Sequence, residues 1–96
     1  MKNSQINEAR VAYFAAVMDA GSIRGGADRL GLEASVLSRQ IQTLERELGV
    51  QLFLRSARGV TPTEAAAVLL SYARTAQSNA NLLKAQLKNS PAPNED

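Results

Sequence analysis

The sequence predicts a mainly α-helical fold: three helices, a short two-stranded hairpin, then one long helix. Three observations carry it. Leu37, Ile41, Leu44 and Leu48 recur in steps of four, three and four, the spacing that puts side chains on one buried helical face, and Gly49 follows at once. The pattern then changes over Val50-Gln51-Leu52-Phe53-Leu54-Arg55 to a partly alternating, β-like run before Ser56-Ala57-Arg58-Gly59, which reads as a hairpin tip. From about Glu64 to Leu87 or Lys88 apolar residues again keep helical spacing.

The elements follow in order. From Ile6 to Ala20, Val11, Phe14, Ala15, Val17 and Met18 make one apolar face with Tyr13 on its flank, so the first helix is scaffold. Gly21 ends it, and Ser22 is placed to accept a backbone N–H at the start of a second helix whose inner face is Ile23, Ala27 and Leu30. Gly31 closes that helix and a third begins a few residues later, the spacing of a tight helix-turn-helix. Gly49 suits the left-handed position just past the third helix, which costs glycine nothing. Val60 and Thr61 are expected as the return strand; a plain loop is the alternative reading of this region. Thr63 is the expected N-cap of the fourth helix, and Glu64 favours the positive end of its dipole.

The fourth helix carries a stripe of Leu69, Ala73, Ala76, Ala80, Leu83 and Leu87, in alternating steps of four and three. A helix pair needs that repeat, and alanine at its centre allows close approach, so the stripe predicts a homodimer. Val68, Leu70 and Tyr72 lie beside it and are expected to tie the helix back to the rest of the fold. Asn89 to Asp96 reads as a polar, proline-containing flexible tail.

Composition narrows the function. The chain has 96 residues, 45% of them hydrophobic and 21% charged, enough for one small globular domain that gains from a second copy. With no cysteine and no histidine there is no disulfide framework, no thiolate or imidazole metal site and no histidine base, so neither a metal nor another cofactor is expected. No nucleophile has a recognisable base, and Gly21-Ser22-Ile23-Arg24-Gly25-Gly26 lacks the spacing of a nucleotide-binding loop, so an enzyme is not expected. No apolar run approaches the roughly 18 residues of a membrane span, and Met1-Lys2-Asn3-Ser4-Gln5 does not resemble a signal peptide; the expected location is cytoplasmic.

The net charge is only +2, but its distribution is uneven. Between Ser22 and Pro62 stand six arginines (Arg24, Arg29, Arg39, Arg46, Arg55, Arg58) and no lysine, against the four acids Asp28, Glu33, Glu45 and Glu47. Arginine presents a planar fork of donors that suits phosphate oxygens and guanine edges. A helix in the major groove reads bases with the N-terminal half of its outer face, here Ala34, Ser35, Ser38, Arg39 and Gln42. Arg39 fits a guanine edge or a phosphate. Ser22 and Arg24 sit at a helix start that favours a phosphate, and Arg55 and Arg58 flank the hairpin tip, near an adjacent minor groove. Arg46 either binds a phosphate or pairs with Glu45 or Glu47. For all of these the bland alternative is a solvated surface with local pairs.

The order LSRQIQTLERELGVQLFLR, preceded by Gly21-Ser22-Ile23 and Ala27-Asp28-Arg29-Leu30, resembles the N-terminal DNA-binding domain of LysR-type transcriptional regulators from about Val11 to about Leu70. The resemblance implies a winged helix-turn-helix over 1–62, a linker and dimerisation helix over 63–88 and a hinge tail over 89–96. It also implies sequence-specific binding of double-stranded DNA at an inverted repeat, and transcriptional control. A protein-interaction module with weakened DNA binding is the alternative. Family members commonly place Ser-Gln-Pro or similar where this chain has Glu33-Ala34-Ser35, and Ala34 cannot make the hydrogen bond that glutamine makes there, though it can touch a thymine methyl. Gly25 and Gly26 replace bulkier residues or alanine inside a helix, and Ala66 replaces a common glycine. Altered sequence preference or weaker affinity is the expectation. Such regulators continue into an effector-binding domain of two α/β lobes; these residues stop at the hinge, so no small-molecule ligand is expected within them.

Overall fold

The computed structural model of the chain describes residues 6–91. Its elements run α1 (Glu8–Ala20), α2 (Ile23–Leu30), α3 (Ala34–Leu48), β1 (Phe53–Ser56), β2 (Gly59–Pro62) and α4 (Glu64–Lys88). The mainly α, winged arrangement expected from the sequence is the one observed. The polar start, Met1 to Gln5, and the end of the tail, Ala92 to Asp96, lie outside the described residues. Among the described residues no helix is long and apolar enough to cross a membrane.

Side-chain caps set three of the helix starts. Asn7 accepts a 3.0 Å bond from the Arg10 N–H, which starts α1 two residues later than Ile6. Ser22 Oγ accepts from the Gly25 N–H at 2.9 Å. Thr63 Oγ1 accepts from the Ala66 N–H at 3.3 Å while its own hydroxyl donates to the Gln51 carbonyl at 2.7 Å, joining the start of α4 to the segment before β1. Gly49 closes α3 with φ 72°, a left-handed position whose N–H returns to the Glu45 carbonyl. Asn89 and Ser90, expected as loose tail, are bonded back to the last turn of α4 through Ala85, Gln86 and Leu87 oxygens.

The core is Val11, Phe14 and Val17 of α1, Ala27 of α2, Leu37, Ile41 and Leu44 of α3, and Leu52, Phe53, Ala66 and Leu69. Phe14 and Phe53 stack obliquely, ring centroids 5.6 Å apart, so the hairpin is pinned to α1 through an aromatic pair. Such contact is worth about 0.5–1.5 kcal/mol beyond the area it buries. Gly26 is buried at the crossing of α1 and α2, where a Cβ would stand 3.1 Å from Val17 Cα. The glycine that reads as a cost to helix α2 is therefore what lets two helices meet at this distance. Ala66 is fully buried, its methyl part of the core.

The expected strand over Val50–Arg55 is shorter and later than its pattern suggested. Its first residues are held by something other than the ladder: Glu45 Oε2 accepts the Leu52 N–H at 2.7 Å and the Phe53 N–H at 3.1 Å. Pairing then runs antiparallel from Phe53↔Pro62 to Ser56↔Gly59, with Ala57 and Arg58 at the tip. Replacing Glu45 by alanine strands two amide donors and is expected to cost about 2–3 kcal/mol. Urea unfolding measures this, and Glu45→Gln, which keeps an acceptor oxygen, is expected to lose less.

Candidate nucleic-acid interface

Helix α3 separates its residues by role. Leu37, Ile41 and Leu44 are buried, while Ser35, Arg39, Gln42 and Arg46 are exposed on the opposite side. These, with the half-buried Ser38, form a single stripe at helical spacing. The N-terminal end of the stripe is open to solvent, and both Ala34 and Ser35 are exposed there.

The acids of α3 are turned to other tasks. Glu45 caps the Leu52 and Phe53 amides, and Glu47 Oε2 receives Arg10 Nη1 at 2.9 Å. Arg10 also donates from Nε to Gln40 Oε1 at 2.8 Å, so α1 holds the back of α3 through one guanidinium. Arg46 accordingly pairs with neither Glu45 nor Glu47; its Nη2 donates to Thr43 Oγ1 at 3.0 Å. That corrects the pairing the sequence suggested. The two ion pairs among the described residues use Arg10 and Arg74, both outside the Ser22–Pro62 stretch. All six arginines of that stretch, Arg24, Arg29, Arg39, Arg46, Arg55 and Arg58, are exposed with no acid of the described residues within ion-pair reach.

Ser22 is half-buried and spent as the cap of α2, whereas Arg24 in the first turn is exposed. On the hairpin, Arg58 stands at the tip and its N–H donates to Ser56 Oγ at 3.2 Å. Arg55 does something the sequence did not announce: its Nη1 donates to Ser38 Oγ at 2.7 Å, joining β1 to α3 across 17 residues. No periodicity encodes such a link. Arg29, in the last turn of α2, is a further exposed cation.

The stripe on α4 divides. Leu69 is only 8% exposed and belongs to the chain's own core, and Ala73 packs against that core, so neither is free surface as the dimer reading had assumed. Ala76 is half-buried, and Ala80, Leu83 and Leu87 are exposed. Leu83 is 54% and Leu87 63% exposed, and Leu82 beside them 60%. Val68, expected to tie α4 to the core, is 73% exposed instead; the ties are Leu70, packed on the core, and two polar bridges. Tyr72 Oη donates to Glu8 Oε2 at 2.6 Å, and Arg74 Nη2 to Asp19 Oδ1 at 2.9 Å. The Glu8 carboxylate raises the Tyr72 phenol above its ordinary pKa by holding its proton. Between α1 and α4 lies an open groove of about 610 Å³, its walls including Ala12 and Ala15 of α1 and Ala73, Ala76 and Ala80 of α4.

At the entrance of α3, Glu33 occupies the N-cap position without a side-chain cap bond. Glu33→Ser supplies the missing acceptor, and after the lost carboxylate–dipole attraction a net gain of about 0.5 kcal/mol is expected. Thermal unfolding reads it as a higher Tm, and an unchanged or lower one would refute it.

Comparison with known proteins follows the same lines. The family described as bacterial regulatory helix-turn-helix protein, lysR family, matches residues 9–67. The nitrogen assimilation regulatory protein nac of Klebsiella aerogenes is 44% identical over 70 residues, covering 73% of this chain and 23% of that protein. Among solved structures, the BenM DNA-binding domain in complex with catB site 1 DNA superposes with TM-score 0.78 and 36% identity, covering 85% of this chain and 92% of that one. The CbnR DNA-binding domain in its DNA complex gives TM-score 0.78 and 34% identity, covering 85% and 94%. The chain spans about a quarter of the length of the curated relatives it matches.

Proposed function

The chain belongs to the lysR family of bacterial regulatory helix-turn-helix proteins, and on that premise we propose that it binds double-stranded DNA sequence-specifically as a homodimer, at an inverted repeat, as the DNA-reading part of a transcriptional regulator. The observation that carries this reading is the set of six arginines between Ser22 and Pro62 that no acid among the described residues neutralises. The acids of α3 lie elsewhere: Glu45 caps the start of β1 and Glu47 receives Arg10.

In this reading α3 lies in the major groove with Ala34, Ser35, Ser38, Arg39 and Gln42 toward the bases. Arg46 and Arg24 hold phosphates at its two flanks, and the dipole at the α2 start adds to Arg24. Arg58 reaches the neighbouring minor groove from the hairpin tip. Residues 1–62 are the reading unit, 63–88 the linker helix and 89–96 the hinge. The role is regulatory and not enzymatic, needs no cofactor, and belongs in the cytoplasm, where the DNA is.

Dimerisation uses the distal half of the α4 stripe. Three exposed leucines, Leu82, Leu83 and Leu87, form a continuous apolar end, and the α1–α4 groove offers an alanine-lined seat. Arg74 is already paired with Asp19 on the groove wall, which leaves Lys84 and Lys88 at the free end of α4 and the Glu8 carboxylate in the groove as charges of opposite sign. The distal α4 of one copy therefore seats in the groove of the other, and two-fold symmetry makes the same contact twice.

A salt titration with DNA tests the first half of the proposal. The log of affinity is expected to fall linearly with log salt at about 0.9 per phosphate neutralised, and Arg39→Ala to weaken binding at least 10-fold at low salt. Negligible binding at low salt with no effect of Arg39→Ala would leave only a protein-interaction role for α4. For the dimer, Leu83→Asp with Leu87→Asp is expected to raise the dimer Kd by at least about 100-fold, given about 1.5–3 kcal/mol per buried leucine. Light scattering across a concentration series reads this, and a wild-type monomer at high concentration would end the dimer proposal.

A further inference from the structure

Arg55 leaves β1 near the hairpin tip, where charge alone would direct it to a phosphate or a minor groove. Its guanidinium turns back instead, and Nη1 donates to Ser38 Oγ at 2.7 Å. We infer that Ser38 and Arg55 form a single donor unit that reads an acceptor-bearing base edge in the major groove, which makes Arg55 a specificity-determining residue. This rests on the DNA-binding reading above and goes beyond it, by assigning Arg55 to base recognition on the face of α3.

The hydrogen-bond inventory of the pair decides what it reads. A serine hydroxyl offers one O–H donor and two lone pairs, and the Arg55 bond occupies one of those lone pairs. Ser38 is half-buried in the outer stripe of α3, beside Arg39 and Gln42 along the helix. Its O–H donor and one lone pair remain open. The guanidinium has five N–H donors and no acceptor, and one donor is used. The pair therefore offers a cluster of donors with a net positive charge, since no acid among the described residues lies within ion-pair reach of Arg55.

In the major groove guanine shows two acceptors, O6 and N7, side by side; adenine shows one acceptor and one donor, and cytosine a donor. A pair in which guanidinium donors outnumber the one lone pair left on Ser38 matches guanine better than cytosine. The spacing supports recognition over simple attraction, because the Ser38 contact fixes the plane of the fork before DNA arrives. A phosphate would be bound by the charge with or without Ser38.

The test uses a duplex selected from a random pool by the wild-type chain, and a scrambled duplex of equal length. Each is titrated with wild type, Ser38→Ala, Arg55→Lys, and the double variant. Arg55→Lys is expected to keep affinity for the scrambled duplex and the salt slope while losing about 10-fold or more on the selected one, as loss of a bidentate contact implies. Ser38→Ala is expected to behave alike, and the double variant to be no worse than the worse single one. Reselection with Arg55→Lys is expected to relax a guanine position and leave the rest. Equal losses of Arg55→Lys on both duplexes, or single losses that multiply in the double variant, overturn the inference while leaving DNA binding intact. A wild-type chain that binds both duplexes equally overturns the DNA-reading proposal and the inference with it.

Discussion

One carboxylate joins the two halves of the reading surface. Glu45 Oε2 takes the N–H groups of Leu52 and Phe53 at the point where the chain leaves α3 and becomes a strand. Those donors lie where the pairing ends, at Phe53↔Pro62, and the carboxylate of Glu45 takes them in place of a strand partner. Left unpaired at this half-buried position they would cost about 1–3 kcal/mol each. With them satisfied, Phe53 is set against Phe14, Leu52 is sealed in the core, and the hairpin leaves α3 in one direction only. The Arg55–Ser38 contact, three residues on, depends on that direction.

Much of this was legible in the sequence, and the reason is local. The apolar spacing of Leu37, Ile41, Leu44 and Leu48, the stop at Gly49, and the caps at Ser22 and Thr63 are short-range signals that physical chemistry reads within a turn or two. The outward stripe of Ser35, Ser38, Arg39, Gln42 and Arg46 follows from the same period. What was not legible depends on distant partners. Nothing in the neighbourhood of Glu45 distinguishes it from Glu47, yet one caps a strand and the other receives Arg10 from α1. Gly26 reads as a weakness in a helix until Val17 is seen across from it.

The fourth helix shows where a periodic reading overreaches. A seven-residue repeat states that one face of α4 is apolar, and is silent on which molecule covers it. Here the face changes owner along its length. Leu69 and Ala73 are covered by the chain itself, Ala76 stands at the edge, and Leu83 and Leu87 are bare. The change comes where α4 outruns α1, after the Tyr72–Glu8 and Arg74–Asp19 bridges have fixed the two helices together. Both bridges sit on exposed side chains and contribute little energy. The orientation of α4 rests on Ala66, Leu69, Leu70 and Ala73 packed on the core, and the bridges lie along the groove beside them.

The two arginines of the hairpin differ in freedom, and that difference bears on what each can recognise. Arginine loses about 2 kcal/mol of rotamer freedom when fully fixed. Arg55 has given up part of this in the folded chain, through the Ser38 contact, and so loses less on meeting DNA. Arg58, exposed at the tip with no ion-pair partner among the described residues, still carries its full freedom. Base edges demand a fixed plane and direction, whereas phosphates recur along the backbone at short intervals and accept a charge from many directions. The pre-set arginine suits the first demand and the mobile one the second. Since the pre-setting depends on where β1 begins, and Glu45 caps that start, the arginine proposed to read a base edge traces back to a carboxylate turned toward the strand.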